Sequence, residues 1–179
     1  MNQRIFNRRQ AFAAVLGLTD GILNSLTLAA GRLIEPGKGF SSSLALRVGV
    51  ASALAGGVVF FTAELAQRNY ELVHAERQLN LASHGWLATT RLGRFVLIES
   101  SGATLMVVLS NFVGALAPLL TGMTLRRYRW TPIAFAVLLL GGFGVLIAHV
   151  TYRNKVWWGV GLMVAGLALS ALGVWLHIV

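Results

Sequence analysis

Three polar side chains share one face of the first apolar stretch of this chain. Asp20, Asn24 and Thr27 follow one another at intervals of four and three residues, which aligns them on one side of an α-helix. A carboxylate at the centre of a bilayer costs about 2.5 to 3.5 kcal/mol, so it commonly serves an ion, a proton or a polar partner. Oxygen ligands of this kind suit a divalent cation. We predict that Asp20 and Asn24 bind a metal ion and that Asp20 also carries a proton; hydrogen bonding to a neighbouring helix is the alternative.

Two further carboxylates lie near the ends of apolar stretches. Glu64 closes the second stretch, with Arg68 one helical turn later on the same face. Two interpretations stay open for Glu64: an ordinary ion pair with Arg68, or a metal-binding and proton-coupling carboxylate at the mouth of an ion path. Glu99, near the start of the third stretch, is predicted as a further metal ligand and proton relay.

Other reactive groups are sparse. Glu71 and His74 form one Glu-x-x-His motif, which in pairs builds di-iron sites in four-helix bundles. A single copy favours an exposed helix face, unless a second subunit supplies the matching half. The chain has no cysteine, which excludes thiolate ligands and disulfides. No nucleophile paired with a base and no multi-histidine site is present, so we expect no enzymatic activity, no catalytic residue and no cofactor.

Five apolar stretches position these residues. The chain is 56% hydrophobic and only 12% charged, whereas soluble domains carry about 25% charged residues. Crossing a bilayer takes roughly 20 apolar residues per helix, and continuous stretches of this length argue against a β-barrel. We predict an all-α polytopic membrane protein, a single domain over residues 1–179, with spans at Ala11 to Gly31, Val48 to Gln67, Phe95 to Leu125, Thr131 to Thr151 and Val156 to Val179.

The basic residues indicate membrane topology. The net charge is +9, but the basic residues are scattered over loops and flank apolar spans, so we expect a lipid bilayer rather than nucleic acid as the partner. Their distribution favours a cytoplasmic N-terminus in the cell (inner) membrane. The basic start resembles a signal peptide. Its apolar stretch is longer than the roughly 7 to 15 residues of a signal core, so we predict a retained first helix.

The connection from about residue 68 to 94 is predicted to be short and cytoplasmic. It begins with a helical extension, because Arg68 to Arg77 contains no Gly or Pro. Pro118 is expected to kink the third span. Small residues at intervals of three or four favour close helix packing, within one bundle or between two copies; they are Ala53, Gly57, Gly166, Ser170 and Gly173.

Three segments resemble the vacuolar iron transporter family. Gly17 to Gly31 (GLTDGILNSLTLAAG) is similar to the family's first-span signature, with its Asp-Gly pair among small and polar residues. Gly56 to Gln67 looks like the second span, in which a Gly-rich run leads to a glutamate, here Glu64. Val113 to Leu120 (VGALAPLL) is similar to the third span.

The resemblance implies a homodimer of five-helix protomers that exports ferrous iron, and manganese as a second cargo, in exchange for protons. In such an antiporter Asp20 alternates between a divalent cation and a proton. Two departures stand out. Phe60 occupies a position where the family often has methionine, and only Glu71 and Glu76 remain of the acidic cytoplasmic metal-binding segment of plant and yeast-like members. Both departures favour the alternative, a non-transporting scaffold or assembly subunit that retains the transporter-like fold.

Overall fold

The computed structural model describes residues 2–32, 42–78, 91–124, 130–150 and 154–175. Every secondary-structure element in these ranges is an α-helix, and five helices are long and apolar enough to cross a membrane. This confirms the predicted all-α class and the number of spans. The helices are α1 (Asn2–Arg32), α2 (Ser42–Gln78), α3 (Arg91–Thr124), α4 (Thr131–Val150) and α5 (Lys155–Trp175).

The first three helices are longer than the apolar stretches that predicted them. α2 continues to Gln78, which confirms the helical extension expected after Arg68. α3 begins at Arg91, four residues before the predicted Phe95, and runs through Pro118 to Thr124. Hydropathy identifies only the apolar segment of a helix, whereas the backbone hydrogen bonds of that helix continue through the polar residues beside it. The rest of the predicted connection, from 79 to 90, lies outside the described residues.

Contacts at glycines fix the relative directions of the helices. Gly17 and Gly21 of α1 contact successive turns of α3, and the order of the contacts is the same along both helices, so these two helices are parallel. Gly57 of α2 contacts Val108 of α3, while Arg68, further along α2, bonds to the earlier Glu99, so this pair is antiparallel. Gly141 and Gly144 of α4 meet Met163 and Trp158 of α5 in reverse order, so α4 and α5 are antiparallel. Gly166 and Gly173 of α5 meet Leu26 and Ala30 of α1 in the same order, so α1, α3 and α5 run in one direction and α2 and α4 in the other.

The apolar core lies where α1 meets α4 and α5. Its buried residues are Ile22, Leu26, Ala29, Ala30, Ile133, Ala136, Val137 and Leu140. There is no room for a side chain at two glycines of α5. If Gly166 carried a Cβ atom, it would lie 2.6 Å from the Leu140 side chain, and a Cβ atom on Gly173 would lie 2.9 Å from the Thr27 carbonyl oxygen. These glycines therefore serve packing within one bundle, as one of the two interpretations of the small residues had it.

Helix α1 is the central element. It packs extensively on α3 and also contacts α4 and α5, whereas α2 packs mainly on α3 and touches α1 over a short stretch. The row of side chains on α1 beside α2 is consequently only partly covered: Phe12 is 56% exposed and Leu16 40% exposed. Asp20 and Asn24 continue this row at the next two turns.

Candidate functional site

Asp20 is positioned by a close contact between α1 and α3. A Cβ on Gly17 would lie 3.0 Å from the Cβ of Ser110, and one on Gly21 would lie 2.8 Å from the backbone nitrogen of Ala115. On the opposite side of the contact, Gly114 packs directly against the backbone of Leu18. Because side chains are absent at these points, the two backbones approach closely enough for Asp20 to reach across to α3.

The Asp20 carboxylate accepts a hydrogen bond from a side chain of α3. The Nδ2 of Asn111 donates to Asp20 Oδ2 at 2.6 Å. Asn111 is fully buried, while Asp20 is half-buried. Within the described ranges no arginine, lysine or histidine forms an ion pair with Asp20. Among the described residues, the carboxylate is thus held by a neutral donor and not by a cation.

The same hydrogen-bond network extends to α2 and back to α1. The hydroxyl of Ser52 donates to Asn111 Oδ1 at 2.7 Å, and Asn24 Nδ2 donates to Ser52 Oγ at 2.8 Å. Asn24 and Asp20, which are predicted to share a site, are therefore linked by hydrogen bonds through Ser52 and Asn111. Thr27, the third member of the stripe, instead donates to the backbone carbonyl of Asn24 at 2.8 Å.

Gly56 of α2 leaves the space that this network occupies. A Cβ at this position would lie 2.5 Å from Asn111 Nδ2 and 2.8 Å from Asp20 Oδ2. Any side chain here would therefore collide with the hydrogen bond between Asp20 and Asn111. The backbone of α2 covers that bond on one side.

Glu64 and Glu99 belong to a second polar cluster, centred on Arg68. Arg68 Nε donates to Glu64 Oε1 and Nη1 donates to Glu99 Oε2, each at 2.6 Å. The arginine side chain is 9% exposed, and the two carboxylates are 23% and 18% exposed. The ion pair between Glu64 and Arg68, one of the two interpretations of that spacing, is present. The bond to Glu99 ties α2 to α3.

The two clusters lie at different levels of the bundle. Glu64 follows Gly56 by eight residues, which is about 12 Å along a helix at 1.5 Å per residue. Among the described residues, no group of three or more His, Asp or Glu side chains is close enough to hold a metal ion. The predicted ligands Asp20 and Asn24 are brought together, whereas Glu64 and Glu99 bind Arg68, and a metal role for those two stays a prediction.

The Glu-x-x-His motif lies on an exposed face of α2. Gln67 donates to Glu71 at 3.3 Å, and His74 stacks on Tyr70 with ring centroids 6.2 Å apart. Both Glu71 and His74 are exposed. Each side chain contacts a neighbour on its own helix, as expected for an exposed helix face.

Sequence reasoning did not identify Asn111 and Ser52 as partners of Asp20. Both are polar side chains within apolar spans, which is the signal that singled out Asp20. Asn111 lies 91 residues from Asp20 in the sequence, and Ser52 lies 59 residues from Asn111. Helical periodicity connects only residues three or four apart, so it does not report contacts between helices.

Comparison with known proteins finds a distant relative whose name states no function. The chain is 24% identical over 160 residues to an uncharacterized protein of Methanocaldococcus jannaschii, covering 88% of this chain and 83% of that protein. No protein-family model matches the chain. No solved structure matches it.

Proposed function

We propose that the chain is a proton-coupled transporter of divalent cations, ferrous iron or manganese, which it exports from the cytosol. The observation that supports this most directly is the half-buried carboxylate of Asp20 within a membrane-spanning helix, without a cationic partner in the described part of the chain. A negative charge kept in this environment is expected to serve an ion or a proton. Membership in the vacuolar iron transporter family is part of the same proposal.

Asp20 and Asn24 supply oxygen ligands for the cargo. Asn24 uses its Nδ2 to donate to Ser52, and no described residue donates to its carbonyl oxygen Oδ1, which can therefore serve as a ligand. A carboxylate and an amide carbonyl suit divalent cations of the manganese and ferrous type. A cation and a proton compete for the same carboxylate oxygen, so loading of the metal expels the proton and the reverse.

A second copy of the chain completes the site in this proposal. The row of Phe12, Leu16, Asp20 and Asn24 on α1 is partly exposed in the single protomer, yet a carboxylate facing lipid would be costly. An isologous contact along this row would place two Asp20 carboxylates opposite each other. One carboxylate and one amide are too few ligands for a divalent cation, and the symmetric contact doubles the set.

Glu64 and Glu99 lie nearer the cytoplasmic end in the proposed orientation, with the N-terminus in the cytoplasm. Because both carboxylates bind Arg68, an incoming cation competes with the guanidinium group for their oxygens. In the proposal Glu64 passes cations and protons between the cytosol and Asp20, and Glu99 supports it.

The test is uptake of manganese into proteoliposomes with an imposed pH gradient. Asp20→Asn is expected to abolish proton-coupled flux, since the amide neither ionises nor binds a cation as a carboxylate does. Thr62→Val is the control, because the exposed Thr62 hydroxyl donates to backbone carbonyls of its own helix, Val58 and Val59, and the variant is expected to retain flux. Equal proton-coupled flux for the wild type and Asp20→Asn would refute the assignment.

The bonds of Arg68 to both glutamates favour a second candidate, a non-transporting scaffold or assembly subunit. With Glu64 and Glu99 engaged by a fixed cation, the polar groups of α2 and α3 hold the bundle together without an ion. This candidate predicts no thermal stabilisation of the purified protein by ferrous, manganese, zinc or magnesium ions, and full tolerance of Asp20→Asn. The transporter predicts stabilisation of the wild type and its loss in the variant.

A further inference from the structure

The amide of Asn111 is held in one orientation. Its Oδ1 accepts the hydroxyl hydrogen of Ser52 at 2.7 Å, and its Nδ2 donates to Asp20 Oδ2 at 2.6 Å. An amide flip would set Asn111 Oδ1 against the carboxylate oxygen, two acceptors facing each other. Asp20, which can only accept, determines which end of the Asn111 amide faces it, and Ser52 holds the other end in place.

One oxygen of the Asp20 carboxylate is enclosed by this arrangement. Oδ2 receives the Asn111 donor, and the backbone of Gly56 lies so near that a Cβ there would be 2.8 Å from it. The other oxygen, Oδ1, accepts no hydrogen bond from the described residues. The two oxygens of one carboxylate thus differ in their freedom to bind a cation.

We propose that Asn111 restricts Asp20 to binding a cation through Oδ1 alone and thereby selects against calcium. Calcium takes six to eight oxygen ligands and often binds both oxygens of a carboxylate, whereas smaller divalent cations with octahedral coordination are served by single oxygens. The Asn111 donor takes one lone pair of Oδ2 and the backbone of Gly56 lies beside the same oxygen, so the bidentate arrangement is disfavoured. Asn111 is then a positioning residue that determines specificity, and Ser52 supports it. This inference rests on the proposed transport of divalent cations.

The experiment compares calcium and manganese binding by the purified full-length protein, with titration calorimetry in detergent. In Asn111→Leu, which removes the donor at similar volume, both oxygens of Asp20 become available. We expect the affinity for calcium relative to manganese to rise about tenfold, or 1.4 kcal/mol. Ser52→Ala, which removes one of the two hydrogen bonds that hold the Asn111 amide, is expected to change the ratio in the same direction by a smaller factor and serves if Asn111→Leu does not fold.

Thr104→Val is the matched control on α3, because the Thr104 hydroxyl donates only to the backbone carbonyl of Ser100 in its own helix. It is expected to leave the calcium-to-manganese ratio unchanged. A wild type that binds manganese, with the same ratio in Asn111→Leu and Ser52→Ala, overturns the role of Asn111 and leaves the transport proposal standing. A wild type that binds neither cation overturns both.

Discussion

Replacing Gly21 with alanine tests whether the contact between α1 and α3 positions the Asp20 site. The added Cβ would lie 2.8 Å from the Ala115 nitrogen and 2.9 Å from the Asn111 carbonyl carbon. Favourable separations for carbon are about 3.5 to 4.0 Å, so the helices must move apart by roughly 1 Å. The opposing atoms are backbone and cannot rotate away. Overpacking of this kind costs about 1 to 3 kcal/mol.

The same displacement acts on the neighbouring hydrogen bond. Asn111 Nδ2 and Asp20 Oδ2 are 2.6 Å apart, and a separation about 1 Å greater exceeds the range of a hydrogen bond. Gly21→Ala is therefore expected to lower stability and, because Asn111 no longer holds Asp20 in place, to lower manganese binding relative to calcium binding. For a chain of this size, the cost corresponds to a decrease of about 2 to 12 °C in unfolding temperature.

Gly102→Ala is the control, because a Cβ on that α3 residue meets nothing within 4 Å. Alanine is favoured over glycine in a helix by about 0.5 to 1 kcal/mol, so this variant should be neutral or slightly stabilised. The assay is thermal unfolding in one detergent, with and without manganese. If Gly21→Ala unfolds at the wild-type temperature and keeps the manganese-dependent shift, the contact does not position the site.

Three further substitutions have distinct expected outcomes. Arg68→Met removes the guanidinium group that binds Glu64 and Glu99 and should lower stability by at most about 3 to 5 kcal/mol, while replacing both glutamates with Gln in the same variant should restore stability in a thermal unfolding assay. Ser100→Ala removes a buried hydroxyl without a hydrogen-bond partner in the described ranges and should raise the unfolding temperature, since an unpaired buried group costs about 1 to 3 kcal/mol. His74→Ala changes an exposed residue and should alter stability by no more than about 0.5 kcal/mol, as measured by the same unfolding assay.

The helices were predictable because the physical requirement behind them is local. A span needs about 20 apolar residues and internal backbone hydrogen bonds, and both can be recognised in one segment at a time. The helix bounds were less predictable. Asn2 to Gln10 and Arg68 to Gln78 are polar but continue α1 and α2, since a helix does not end where its side chains become polar.

The candidate site was predictable only in part. Asp20 could be identified from the cost of its charge, and the pair of Glu64 with Arg68 from a four-residue spacing. The partners on other helices, Asn111 for Asp20 and Glu99 for Arg68, depend on how the helices pack. That packing is determined by backbone contacts at glycines such as Gly21, and sequence spacing carries no information on which glycine meets which helix.

The hydrogen bond between Asp20 and Asn111 also has a consequence for biogenesis. The two residues are 91 positions apart, and a ribosome adds about 5 to 20 residues per second. The nascent first helix therefore waits about 5 to 18 s before its amide partner is synthesised. During that interval the translocon or the lipid headgroups must accommodate the acid. The hydrogen bonding of Asp20 is thus completed only when the third helix arrives and supplies the Asn111 donor.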